Sequence, residues 1–251
     1  MIKQVLICLA KVFLLGVSLS GCAVYRPMQC AAPALYDKGQ VEVAGSAYFN
    51  KRLNGAVNYS PLRHVLVRAA IDGKADNDDS TYVRSRQYEL AVGTYWPLGE
   101  QVVLGGLVGA GQARSQVRYR PIETPYPTQY EYNAQYNKLF GEVYGTWQIA
   151  PTVQFGAAYR LTHVRFASLT NLGQPLSLTA MLRSEPMFFL RSTFGFRPSG
   201  DRLAYVQAGI GGSALLRAWP GQLSGPDGSL LDSNTYFTIG LGFFPSMLWR
   251  H

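Results

Sequence analysis

Arg86-Gln87-Tyr88-Glu89-Leu90-Ala91-Val92-Gly93-Thr94-Tyr95-Trp96 alternates residue by residue. Tyr88, Leu90, Val92, Thr94 and Trp96 fall on one face, and Gln87, Glu89, Ala91 and Gly93 on the other. A period of two marks a β-strand with one apolar face and one polar or small face. Pro97-Leu98-Gly99-Glu100 then reads as a turn, and Gln101 to Arg120 as a longer return strand. The stretch is therefore a hairpin.

The same unit recurs in Gln40–Phe49, Gly55–Ser60, His64–Ala75, Ala134–Ile149, Thr152–Phe166, Glu185–Arg197, Arg202–Trp219 and Asn234–Phe244. With the hairpin this predicts about ten strands, each close to the 9–11 residues of a tilted membrane-spanning strand. Turns at Pro61, Pro97, Ala150 and Pro198 are short, whereas the loops from Asp76, Pro121, Ala167 and Pro220 are long. Short turns at one end, long loops at the other and an even strand number are the pattern of an antiparallel up-and-down transmembrane barrel. The fold class expected is all-β.

Composition agrees. A chain of 251 residues fits one barrel. Charged residues make up 15%, well below the roughly 25% of soluble domains. Aromatics reach 13% and there are 26 glycines, a mixture suited to a surface that faces lipid. The formal charge of +8 is dispersed along the chain, with no basic stripe, which argues against nucleic acid as a partner.

The first residues carry Lys3, an apolar stretch from Val5 to Val17 and then small residues, the order of a secretory leader. Leu19-Ser20-Gly21-Cys22 has the form of a lipobox, so Cys22 is the expected lipidation site. Residues 1–21 are read as the lipoprotein signal peptide, 22–39 as lipidated N-terminus and tether, 40–245 as the barrel and 246–251 as a C-terminal tail. Removal of the leader and acylation of Cys22 leave Cys30 as the single thiol, so no intramolecular disulfide is expected. Even strand parity puts both termini on the periplasmic side, where acyl chains on Cys22 would enter the inner leaflet.

Alternation assigns Glu42, Arg68, Asp72, Glu89, Lys138, Glu142, Arg160, Arg191 and Gln207 to the interior, as a polar network that closes the barrel. Tyr59, Trp96, Trp147, Phe196 and Phe243 lie on the apolar face near strand ends and are expected to form an aromatic girdle at the periplasmic interface. The three histidines, His64, His163 and His251, make no catalytic or metal-binding constellation. Gly105, Gly106, Gly109 and Gly111, and Gly209, Gly211 and Gly212, lie inside strands, where glycine marks close backbone approach rather than a phosphate loop. No cofactor, metal or enzymatic activity is expected.

The lipobox and tether, the stretch Asn54-Gly55-Ala56-Val57-Asn58-Tyr59-Ser60-Pro61 and the strand Glu89-Leu90-Ala91-Val92-Gly93-Thr94-Tyr95 together resemble small outer-membrane β-barrel proteins of Gram-negative bacteria. They are most similar to porin-family barrels of the OmpW and OmpA type, in a lipid-anchored variety. Thr238-Ile239-Gly240-Leu241-Gly242-Phe243-Phe244 resembles the terminal assembly signal of such barrels, although Pro245 to His251 extends beyond it. The resemblance implies a monomer in the bacterial outer membrane, with outer-membrane lipid and the barrel-assembly and lipoprotein-processing machineries as partners. The role expected is structural or surface-interactive. Three rival readings stand beside it: a narrow channel or carrier of small solutes, a soluble lipocalin-like periplasmic lipoprotein, and an outer-membrane enzyme, for which no nucleophile and base converge in the sequence.

Overall fold

A computed structural model of the chain describes residues 24–77, 82–99, 101–119, 129–196, 202–220, 223 and 225–248. Ten strands form one barrel: β1 (Val41–Tyr48), β2 (Leu53–Tyr59), β3 (Leu66–Asn77), β4 (Tyr82–Leu98), β5 (Val102–Tyr119), β6 (Tyr130–Ala150), β7 (Val153–Asn171), β8 (Ala180–Phe196), β9 (Arg202–Trp219) and β10 (Asn234–Phe243). Each strand pairs antiparallel with its neighbours in sequence, and β1 pairs with β10, with Val43 opposite Phe243 and Tyr48 opposite Thr238. The sheet is closed and has no free edge. The pair Gln174–Pro175 folds back on Thr170–Asn171 as a small flap outside the wall.

The large apolar side chains of the wall point outward. Leu90 is 64% exposed, Leu139 and Val143 are each 62% exposed, and Val92 and Ile239 share that face. On β6 the outward apolar run extends from Leu139 to Ile149. Ten residues at about 3.4 Å each, tilted by roughly 40°, give an apolar belt about 25 Å tall.

Beyond that belt the strands continue and their polarity inverts. On β6, Asn133, Gln135 and Asn137 face out while Tyr132, Ala134 and Tyr136 face in. On β5, Gln112, Arg114 and Gln116 face out and Ala113 and Val117 face in. Tyr132, Tyr136, Val164, Leu169, Leu178, Met181 and Leu230 thus build an apolar core above the belt, as in a soluble barrel. These extensions consume much of the predicted loops: β3 and β4 are separated only by residues 78–81, β7 runs to Asn171 and β8 begins at Ala180. The prediction ended these strands early because the apolar-out signal stops at the top of the belt.

Glycines inside the wall seat aromatic rings. Gly105 faces Tyr144, Gly156 faces Phe189, Gly211 faces Tyr236 and Gly242 faces Tyr205 across the ladder. A Cβ on Gly156 would lie 2.0 Å from the Phe189 ring, so the ring occupies the space a side chain would need.

Candidate functional site

The lumen is the site. All nine residues assigned to the interior from the sequence have at most 5% of their surface exposed. Arg160 on β7 is at the centre. Its Nε donates to Glu142 Oε2 at 2.7 Å, and its Nη1 reaches both Glu89 oxygens at 3.1 and 3.2 Å. Lys138 Nζ donates to Glu89 at 2.6 Å and to Gln87 at 2.8 Å. Gln87 in turn donates to Asp72 at 2.9 Å. Arg52 Nε lies 3.0 Å from Asp72 Oδ2, close enough for an ion pair but without hydrogen-bond alignment. On the opposite wall Glu42 accepts from Asn58 at 2.8 Å and from Tyr205 Oη at 2.7 Å, while Arg68 donates to Asn58 at 3.1 Å. Arg191 donates to Gln207 at 2.8 Å. Buried charges of both signs that are shared among several partners offset much of one another's desolvation.

The largest departure from the sequence reading concerns the stretch expected as a tether. Residues 24–36 are not free. They run through the lumen as an extended, unpaired segment, with Val24, Tyr25, Met28, Cys30, Ala31 and Leu35 each buried. At the long-loop end, Val24 and Tyr25 join the upper apolar core, and Tyr25 Oη donates to Glu185 at 2.5 Å. In the middle, the carbonyls of Pro27, Arg26 and Ala32 accept from Arg52, Gln87 and Arg191. At the short-turn end, the Ala34 N–H donates to Glu42, and Tyr36 Oη accepts from Gln154. Carbonyls free of any ladder are available to the lumen's guanidinium and amide donors, which need acceptors. A segment rich in alanine is also narrow enough to fit between them. Beside it remains a cavity of about 30 Å³, lined by residues including Gln29, Glu42, Asn58 and Arg68. That is room for one or two waters.

The sequence reading expected both termini at the short-turn end. The barrel itself starts at the short-turn end, but Val24 is at the long-loop end. Cys22 lies outside the described residues, two positions before Val24. Cys30, whose partner the sequence left open, has its thiol buried in the lumen 3.6 Å from the Glu185 carbonyl, where no second chain can reach it in this state.

No family model matches the chain, and no curated protein does. Among solved structures it is similar to the translocator domain of the autotransporter NalP from Neisseria meningitidis, with a TM-score of 0.46 at 11% identity over 81% of this chain and 86% of that one. It is also similar to the outer membrane protease OmpT from Escherichia coli, with a TM-score of 0.46 at 10% identity over 83% and 94% of the two chains. The N-terminal β-barrel domain of Pseudomonas aeruginosa OprF follows with a TM-score of 0.32 at 14% identity over 82% and 95%. These likenesses are distant in sequence and loose in geometry.

Several lumen residues escaped the sequence reading. Arg52 falls in a four-residue connection, and Arg183 lies in what read as a loop. Arg183 Nε donates to Ser213 Oγ at 2.7 Å, and Glu185, at the margin of a predicted strand, accepts from Tyr25 and Thr162. The inward repeat Met181, Arg183, Glu185, Met187, Phe189, Arg191 was the available signal. Among the girdle residues, Tyr59, Trp96, Trp147 and Phe243 are 42%, 52%, 54% and 37% exposed on the outer face. Phe196 ends β8, and its side chain lies outside the described residues. His64 stacks on Trp96 with ring centroids 4.1 Å apart, and its Nδ1 is 2.8 Å from the Tyr95 carbonyl. His163 packs edge-on against Trp219, far from His64 in the fold, and His251 lies outside the described residues.

Proposed function

We propose that this chain is an integral outer-membrane barrel whose lumen is closed by its own N-terminal segment, with a structural or surface-interaction role and no catalysis. The observation that carries the reading is the pairing of an apolar belt about 25 Å tall outside with a plugged, ion-paired interior. A soluble lipocalin-like barrel has the reverse pattern at that level, with its large apolar side chains turned inward. The strand extensions with polar exteriors mark the outer, extracellular end, because long extracellular connections and short periplasmic turns go together in such barrels. Planar-bilayer recording of the purified full chain tests the reading: an electrically silent bilayer is expected, and stable unit conductance refutes the closed lumen.

One observation favours a second reading. Acyl chains on Cys22 cannot sit in the periplasmic-side leaflet while Val24 is held at the opposite end of the lumen. Withdrawn, residues 22–39 span up to about 60 Å, ample for anchoring. Lipid anchoring in that leaflet and plugging then exclude each other, and the anchored form has an open, charged lumen. Recording acylated protein beside Cys22→Ser separates the two. Conductance from the acylated form alone supports this second reading, and silence from both supports the first.

A further inference from the structure

The outer face just above the apolar belt carries arginines without carboxylates. Arg86 on β4 and Arg114 on β5 both face out and lie directly opposite each other in the ladder. Like charges in that position repel. Arg165 on β7 faces out opposite Asn137 on β6, next to the same patch. Neither Arg86, Arg114 nor Arg165 pairs with a carboxylate among the described residues. The nearest outward carboxylate on these strands, Glu131, is already held by Arg118 at 2.7 Å, farther up the wall. An open groove of about 520 Å³ runs between Arg86, Arg114, Gln112 and Asn137, and no acidic side chain lines it.

Directly below, on β4, β5 and β6, the belt is grooved rather than smooth. Ala110 and Gly141 leave a furrow of about 790 Å³ between Leu90, Val92, Val108 and Leu139. The Tyr88 hydroxyl, hydrogen-bonded to Gln112, lies at the junction of the two grooves. The arginines sit one or two outward positions above the last apolar residue of their strands, roughly 5–10 Å along the barrel axis. That is headgroup depth.

We infer that this face is a lipid-binding site: a phosphate-bearing headgroup bridges Arg86 and Arg114, flanked by Arg165, and its acyl chain lies in the furrow below. A phosphate oxygen pair matches the guanidinium fork, and its negative charge converts the Arg86–Arg114 repulsion into a shared contact. This rests on the membrane-spanning reading proposed above, and the bound group is a lipid rather than free phosphate because the furrow begins one outward position below the cationic groove, at Leu90, Ala110 and Leu139.

The test uses the full chain reconstituted in phosphatidylcholine vesicles containing phosphatidic acid, followed by native mass spectrometry of the released protein. Wild type is expected to retain phosphatidic acid in preference to phosphatidylcholine, and Arg86→Gln/Arg114→Gln to lose that preference by on the order of tenfold. Arg217→Gln, an exposed arginine on β9, is expected to leave it unchanged. Heat-dependent gel mobility of every variant confirms that the barrel is inserted and folded. An inserted protein with no preference, or a preference insensitive to the double substitution, overturns the site alone. Failure to insert overturns the membrane reading and the site with it. Inorganic phosphate that competes as well as the lipid overturns the role of the furrow.

Discussion

Replacing Arg160 by methionine keeps most of the side-chain volume and removes the charge that joins two buried carboxylates. Arg160 makes three charge-assisted contacts, one to Glu142 and two to Glu89, and its guanidinium lies 4.3 Å from the Phe140 ring centre. Glu89 keeps Lys138 at 2.6 Å after the substitution, whereas Glu142 loses the one cation bonded to it among the described residues, where its Oε1 already lacks a hydrogen-bond partner. One buried carboxylate is thereby orphaned. Removing one partner of such a pair costs about 3–5 kcal/mol, a large part of the roughly 5–15 kcal/mol that stabilises a typical domain. Water cannot offset this cheaply, since Glu142 is only 3% exposed and methionine fills most of the space the arginine leaves. Arg160→Met/Glu142→Leu removes the orphan as well and is expected to recover most of the loss. Urea titration in detergent micelles, read by heat-dependent gel mobility and tryptophan fluorescence, measures both. A single substitution costing under about 1 kcal/mol, or a double no better than the single, would refute the claim that the lumen is a dry ion network.

Deleting residues 24–36 from the full chain is expected to turn a silent bilayer into one with unit conductance, since those residues fill the lumen between Tyr25 and Tyr36; continued silence would mean that the side chains alone seal it. Gly156→Val is expected to cost about 1–3 kcal/mol in the same urea titration, because its side chain meets the Phe189 ring, and Gly156→Val/Phe189→Ala to recover part of that. At the long-loop rim, the Arg118 hydrogen bond holds the Glu131 carboxyl below its usual 4.5. A depressed carboxylate contributes stability that is present above pH 4.5 and lost as pH falls through the folded value. For an ion pair this exposed the contribution is at most about 1 kcal/mol, so Glu131→Gln should flatten the acid limb of an unfolding-versus-pH curve only slightly.

The wall was legible because a period of two survives wherever one face meets lipid and the other meets charge. Leu90 beside Glu89 and Leu139 beside Lys138 declare both faces at once. Above the belt the period continues, but its meaning reverses: Tyr132, Ala134 and Tyr136 are interior because the exterior there is water. A rule that sends apolar residues outward loses the strand where this happens, and so Tyr132, Leu169 and Met181 fell in predicted loops although Ala134 and Tyr136 did not. The same reversal hid Arg183, whose neighbours Met181 and Met187 share its inward face.

The N-terminal segment was illegible for a different reason, and that reason bears on how the lumen works. Part of its hold on the wall comes from backbone carbonyls, those of Arg26, Pro27 and Ala32, and a carbonyl leaves no trace in the identity of its residue. What the sequence does carry is the demand on the other side. The inward set contains Arg52, Arg68, Lys138, Arg160, Arg183 and Arg191 against Glu42, Asp72, Glu89, Glu142 and Glu185, so donors outnumber the acceptors that carboxylates alone provide. A barrel lined in this way needs either water or an unpaired strand of peptide to complete it. With the 24–36 segment in place the cavity beside Gln29, Glu42 and Arg68 is about 30 Å³; without the segment the arginines must be hydrated. Plugging and ion pairing are thus one arrangement, and loosening either is expected to loosen the other. Arg191→Met should therefore weaken retention of the segment, detected as faster cysteine modification of Cys30, which is otherwise buried against Glu185. Unchanged Cys30 protection in that variant would show that the segment is held by its apolar ends, Tyr25 and Leu35, and not by the charges between them.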